Sequence, residues 1–364
     1  MRKKPYRSYL FLGLFLLAVL HVPEAWTSGL RSSLVSLASA FWMGGGEGSP
    51  VESEIALENL LLKKQNENLR RRLLSDERIE LQLKKFQTIT SLGTEGFYKR
   101  RRDAAETLLN LELLSLHAQV IYRSPSTWNS TLWIDVGEKD NEALGKAIVR
   151  VNSLILKGHH LIGIIEHVGV SKSRVRLLTD SSLIPSVRVA RGGSENRELL
   201  DLIHLLQQQL SLRDEGRETA IALAKLKERL EKNSDERYLA KGELFGSSSP
   251  IWRACSSILK GVGFNYDFSD EEGPALELRS GKPLEDLSQK ESLPLIKIGD
   301  LLVTTGMDGV FPADIPVALV SSIAPLKEGA VAFDIEAKLC AGNLNQLRDV
   351  IVLPPLSILE EEQQ

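Results

Sequence analysis

A few short stretches carry residue types that could do chemistry. Ser257-Ile258-Leu259-Lys260 satisfies the SxxK pattern, in which a lysine one helical turn from a serine can take its proton, and Ser194-Glu195-Asn196 satisfies SxN. The third element of that catalytic set, KTG, is absent, and patterns this short recur by chance in chains of this length. No GxSxG exists, and "GSSSP" (246–250) has the wrong spacing for a nucleophile elbow. The six histidines are His21, His117, His159, His160, His167 and His204. His167 reads as a hydrogen-bonded strand residue rather than a base. His159 and His160, being adjacent, are expected on opposite faces of a strand, where they cannot share a metal. Asp267, Asp270, Glu271 and Glu272 lack the alternate-position spacing of a calcium loop and read as a solvated acidic loop. Cys255 and Cys340 are the only cysteines, with no CxxC, too few for a four-thiolate zinc site. No glycine-rich loop ends in the Lys-Ser/Thr of a phosphate loop. No cofactor, no metal and no enzymatic activity are expected.

"GDLLVTTGMDGVFP" (299–312) is the densest cluster of turn chemistry. Leu301, Leu302 and Val303 predict a short buried strand continued by Thr304 and Thr305. Gly306 suits a positive φ, Asp308-Gly309 is a turn pair, and Phe311 returns apolar mass to the core before Pro312. The stretch reads as a strand, a glycine corner and a re-entry.

The elements that must carry such a corner follow from composition and period. The chain has 364 residues, 43% apolar and 26% charged, enough for a sizeable core, and a net charge of −3 that gives no sign of nucleic acid as a partner. Arg2, Lys3, Lys4 and Arg7 precede an apolar run from Tyr9 to Val22, ended by Pro23. The run is short for a bilayer span and also fits a signal-peptide core. The nearest small-x-small site, Ala38-Ser39-Ala40, is distant, and Tyr9, His21 and Trp26 suit interfacial ends. The expectation is an uncleaved anchor with the basic end in the cytoplasm. Leu30, Leu34, Leu37 and Phe41 form a weak amphipathic stretch before the "GGGEGSP" hinge.

Beyond the hinge, Ile55, Leu62 and Leu69 recur every seven residues, which puts Asn59, Asn66 and Leu73 at the other core position. That is a two-stranded coiled-coil pattern with buried asparagines fixing register; a single solvated helix is the alternative. The frame slips at Asp76 and resumes on Ile79, Leu83 and Phe86. "SLGTEG" (91–96) breaks the helix, and residues 103–115 predict a short one.

From Ala118 the period becomes two. "AQVIYR", "TLWIDV", "LIGIIEHVGV", "SRVRLL" and "PSVRVAR" read as short strands of a small barrel or sandwich. Residues 194–238 interrupt them with Leu199, Ile203, Leu206 and Leu210 on one helix face, then Leu223, Leu226 and Leu230 on another, which predicts a helical hairpin or one kinked helix. Residues 265–293 read as a long loop. Val331 to Leu339 alternates apolar and polar as a half-buried strand, and "VIVLPP" (350–355) closes the fold.

"AQVIYRSPSTWNSTLWIDVG", "LIGIIEHVGVSKSRVRLLTDSSLIPSVRV" and "GDLLVTTGMDGVFPADIPVALV", in this order and after an anchor and a coiled coil, resemble the MreC family of bacterial rod shape-determining proteins. The resemblance is carried by Gly163, Val175, Leu177, Leu178, Thr179 and Asp180, and by Gly299, Asp300, Thr304, Gly306, Gly309, Phe311, Pro312, Pro316 and Val317. Thr305 replaces the family's usual Ser, Asp314 and Ala318 replace its usual Gly, and the 194–238 insertion has no evident counterpart in its pattern.

The resemblance implies two small six-stranded β-barrels arranged as in chymotrypsin but without its catalytic residues. They follow a transmembrane helix and a dimeric coiled coil. It further implies a periplasmic C-terminal part on the inner membrane, with MreB, MreD, a class B penicillin-binding transpeptidase and its glycosyltransferase as partners. The expected division is 1–8 cytoplasmic tail, 9–22 transmembrane anchor, 23–50 amphipathic segment and hinge, 51–90 coiled coil, and 91–117 linker and helix. There follow 118–193 first β-domain, 194–238 helical insertion, 239–356 second β-domain, and 357–364 acidic tail. The expected function is organising and activating cell-wall synthases. A periplasmic adaptor of a secretion or efflux system, which also combines an anchor, β-domains and an inserted helical hairpin, is the alternative.

Overall fold

The computed structural model describes residues 96–192, 217–232, 237–246, 258–270, 273–285 and 292–358, together with several positions between 196 and 210. The anticipated anchor, hinge and coiled coil, with Ile55, Asn59, Leu62, Asn66, Leu69 and Leu73, lie outside the described residues.

The chain enters through helix α1 (Gly96–Leu113), whose Leu108 and Leu111 are buried in the core. Five strands follow: β1 (Leu116–Tyr122), β2 (Thr131–Ile134), β3 (Leu154–Lys157), β4 (His160–Val168) and β5 (Ser173–Leu177). A short helix, α2 (Glu138–Leu144), sits between β2 and β3. The pairing order β1-β2-β5-β4-β3 leaves β1 and β3 with free edges. Exposed edges invite unwanted pairing, and closure removes them. The closing strand is the last of the chain, β12 (Asp349–Leu353), which pairs antiparallel with both.

The second barrel is also closed, in the order β10-β11-β8-β7-β6-β9. Its strands are β6 (Ser186–Arg191), β7 (Arg237–Phe245), β8 (Ile258–Asn265), β9 (Leu301–Thr304), β10 (Pro316–Ile323) and β11 (Phe333–Leu339). The fold is therefore mainly β, with two six-stranded barrels, as expected. The division of β strands at 118–193 and 239–356 does not coincide with the barrels. Ser186–Arg191 belongs to the second barrel and Asp349–Leu353 to the first, because each closure needs a strand from across the sequence boundary.

β5 shows the two-residue period, with Ser173, Val175 and Leu177 buried. β4 is apolar on both faces because it also meets β10 of the other barrel, so Ile162 and Ile164 are covered as well. One hydrophobic core runs through both barrels, from Leu132 and Ile165 to Phe264 and Phe311.

Two local expectations are corrected. His159 is not in a strand: with Gly158, at φ +63°, it forms the turn joining β3 and β4. Its ring lies 4.2 Å from that of His160, not on the opposite face. Val331 is 78% exposed, because strand β11 begins only where Phe333 pairs with Phe264.

Between β6 and β7, the described positions of 196–210 are helical, and α3 spans Arg217–Lys232. Asn196 Nδ2 donates to the Leu230 carbonyl at 3.3 Å, so the two helices lie side by side at their base. The insertion is a helical hairpin standing on an antiparallel strand pair in which Arg191 faces Arg237.

Candidate functional site

The glycine corner gathers its polar side chains onto backbone. Asp300, 4% exposed, accepts two bonds from Arg191, Nε at 2.9 Å and Nη2 at 2.6 Å, and one from the Lys297 amide at 2.6 Å. Thr304, fully buried, donates from Oγ1 to the Pro312 carbonyl and accepts from the Ile315 amide at 3.0 Å. Gly306 and Gly309 stand at φ +78° and +70°, which a side chain would strain. Phe311 is 2% exposed. Asp308, read from sequence only as half of a turn pair, does more. Its carboxylate accepts from the amides of Val310 (3.1 Å), Phe311 (3.0 Å) and Ser186 (3.2 Å), tying the corner to the start of β6. The Asp-Gly pair was the available signal, since Asp bonds its own backbone two residues on.

Thr179 and Asp180 hold the crossing between barrels. Thr179 Oγ1 donates to the Asn129 carbonyl, and Asp180 Oδ1 accepts from the Ser182 amide at 2.8 Å. Gly246 closes the seam from the other side: a Cβ there would come within 2.1 Å of the Thr179 carbonyl. Gly163 meets the same limit inside the first barrel, where a Cβ would lie 2.1 Å from the Arg176 carbonyl oxygen. The motif residues thus shape two corners and do not converge on one pocket. The SxxK lysine, Lys260, lies on the exposed face of strand β8 and not on a helix.

One cluster escaped the sequence reading. On the second barrel, the guanidinium of Arg188 lies 4.3 Å from the ring centre of Tyr238, and that of Arg101, from α1, lies 4.6 Å from it. The Tyr238 hydroxyl donates to Asp314 Oδ1. Asp314 stands at φ +69°, a left-handed conformation that glycine adopts freely, and the Tyr238 bond holds the aspartate in it. Beside it, Asp270 bridges Arg188 (3.6 Å) and Lys241 and accepts from the Tyr266 hydroxyl at 2.7 Å. With its side chain only 12% exposed, Asp270 is not the solvated loop residue expected; two cations and a hydroxyl draw it in. Lys241 Nζ lies 4.9 Å from the ring of Phe268, and Phe268 is 52% exposed. An exposed aromatic set on a charge-laced, buried base is suited to protein docking.

A second unusual group lies at one end of the first barrel. Arg123 follows β1, with its guanidinium 5.4 Å from the Trp128 ring. Its three guanidinium nitrogens are shielded from water and have no hydrogen-bond acceptor. Burial lowers its pKa from the ordinary arginine value to about 10, so it stays charged at neutral pH. Among the described residues, no group of three or more His, Cys, Asp and Glu side chains could hold a metal ion.

Comparison with known proteins agrees with the fold. The MreC family model, described as rod shape-determining protein MreC, barrel core, matches residues 120–235 and 272–354, more than half of the chain. The match runs through most of the helical insertion and breaks off over 236–271, which holds β7 and β8. Among solved structures, MreC from Pseudomonas aeruginosa is 21% identical, with 66% of this chain and 98% of that one covered at a TM-score of 0.38. MreC from Listeria monocytogenes is 19% identical over 82% of this chain and 95% of that one, at 0.41. A complex between penicillin-binding protein PBP2 and MreC from Helicobacter pylori matches at 13% identity, 66% of this chain, 98% of that one and 0.29. No curated protein matches. The assignment rests on the family model, which spans more than half of the chain: the chain belongs to the MreC family of rod shape-determining proteins.

Proposed function

We propose that this chain is a membrane-anchored scaffold and regulator of peptidoglycan elongation, setting cell shape by organising and activating cell-wall synthases. The family match across both barrels is the observation that carries the reading. The H. pylori complex of PBP2 with MreC supports a class B transpeptidase as partner. Residues 9–22 serve as anchor and 51–90 as dimeric coiled coil, leaving the barrels in the periplasm. No described helix is long and apolar enough to cross a membrane. MreB, MreD and the glycosyltransferase complete the assembly. The barrels act by binding one conformation of the synthase better than another, which needs a preference of only a few kcal/mol.

The partner-facing feature we favour is the Phe268–Lys241 surface. Phe268→Ala is expected to weaken co-purification of the transpeptidase while leaving the melting temperature unchanged, since the ring is half exposed. Unchanged recovery would move the interface elsewhere. For the function itself, depletion is expected to round the cells and reduce incorporation of labelled wall precursor. Normal shape with lost drug export would instead favour a periplasmic adaptor, the reading that the helical hairpin between β6 and β7 keeps open.

A further inference from the structure

The helical hairpin is too small to bury its own apolar side chains. Leu199, Leu202 and Leu206 lie three and four residues apart, on one side of the first helix, yet they are 43%, 56% and 42% exposed. Ile203, at the border of the same face, is only 4% exposed. Three exposed leucines on one helix face form an apolar stripe suited to an occupant.

Three observations identify it. The first is where the chain enters. Arg101 of α1 stacks on Tyr238, which faces Ala190 across the β6–β7 pair at the foot of the hairpin. Gly96 is five residues earlier, about 7 Å along the helix. The residues preceding it therefore leave the described structure beside the hairpin's base. The second is reach. Phe86 precedes Gly96 by ten residues, and an extended break of six residues spans up to about 20 Å, so the earlier helix can lie along the hairpin. The third is pattern. After the slip at Asp76, Ile79 and Phe86 leave the heptad frame of Ile55, Leu62 and Leu69 and, with Leu83, which stays in it, form a stripe turned to one side of that seam. Both stripes run over eight residues, about 10 Å from first to last.

We propose that residues 79–86 dock on Leu199, Leu202 and Leu206 of the same chain, completing a three-helix bundle at the foot of the second barrel. The heptad slip at Asp76 is then the point where the coiled coil hands its apolar face from the partner helix to the hairpin. The bundle joins the membrane-proximal helix to the second barrel, in addition to the single covalent path through α1.

The test is a cysteine pair in the full chain, in membranes, with Cys255 and Cys340 replaced by Ser. Leu83 and Leu202 are the middle residues of the two stripes, so Leu83→Cys and Leu202→Cys meet whichever way the helices run. Mild oxidation is expected to give a fast-migrating species of monomer mass. A dimer joining a Leu83→Cys chain to a Leu202→Cys chain, told by size tags from one joining two Leu83→Cys chains across the coiled coil, would hand the groove to a second copy, and no crosslink between the two positions would leave it to a different partner; either overturns the proposal. As a second measurement, Leu202→Lys with Leu206→Lys is expected to speed amide exchange in residues 79–86 about tenfold, whereas His204→Lys, on the opposite side, is not. Equal exchange in both variants would also overturn it. Neither result depends on whether the chain regulates wall synthesis.

Discussion

Asp314 occupies a backbone conformation that a side chain other than Gly, Asn or Asp rarely takes, and the Tyr238 hydroxyl holds it there. Asp314→Ala keeps the strain and removes the acceptor, and is expected to cost about 2 kcal/mol in a denaturant melt of the barrels. Asp314→Gly relieves the strain while losing the bond, and is expected to be within about 0.5 kcal/mol of the parent. Arg123 tests the opposite case, a charge held without compensation. Its folded pKa, about 10, lies below the ordinary arginine value that applies in the unfolded chain. The folded state therefore binds fewer protons between these values, so the penalty is fully present below about pH 10 and fades as pH rises above it. Arg123→Met is expected to raise stability at pH 7 by about 1 kcal/mol, read as a higher melting temperature. A fall would show that the guanidinium has an acceptor in the assembled protein.

At the scale of elements, the helical hairpin is an addition to a complete barrel. β6 and β7 already pair, with Ala190 opposite Tyr238 and Arg191 opposite Arg237, so the strands need only a turn between them. Replacing residues 193–236 with Asn-Gly is expected to leave the cooperative unfolding of the barrels intact, with a melting temperature within a few degrees of the parent, measured calorimetrically. Loss of the transition would mean that Ile203 anchors a shared core. The strands themselves were readable where one face is wet. β5 and β11 alternate because water lies on one side. β3 has no such signal: Leu154, Ile155 and Leu156 are all buried, and a three-residue apolar run has no period to read.

At the scale of the molecule, the two barrels are interlocked in sequence: the chain leaves the first after β5, builds all of the second, and returns to close the first with β12. The proposed coiled coil over residues 51–90 would set the assembly ahead of them. Leu62→Lys with Leu69→Lys is expected to convert a dimer to monomers in analytical ultracentrifugation, because two buried leucines per helix become charges. Unchanged mass would place self-association elsewhere.

The sequence by itself determined whatever depends on neighbours along the chain. Gly306, Asp308 and Gly309 specify a corner through their own φ preferences and an aspartate that bonds nearby amides. Alternation specified wet-faced strands, and Phe311 its burial. Tertiary structure alone decided which strands share a barrel, since Asp349–Leu353 pairs with residues more than two hundred positions earlier and no local pattern encodes that partner. It likewise decided that Arg188, Tyr238, Asp270 and Asp314, scattered over four segments, meet as one cluster. A buried charge is stabilised by a counter-charge beside it, and for this cluster that proximity exists only once the barrel has closed.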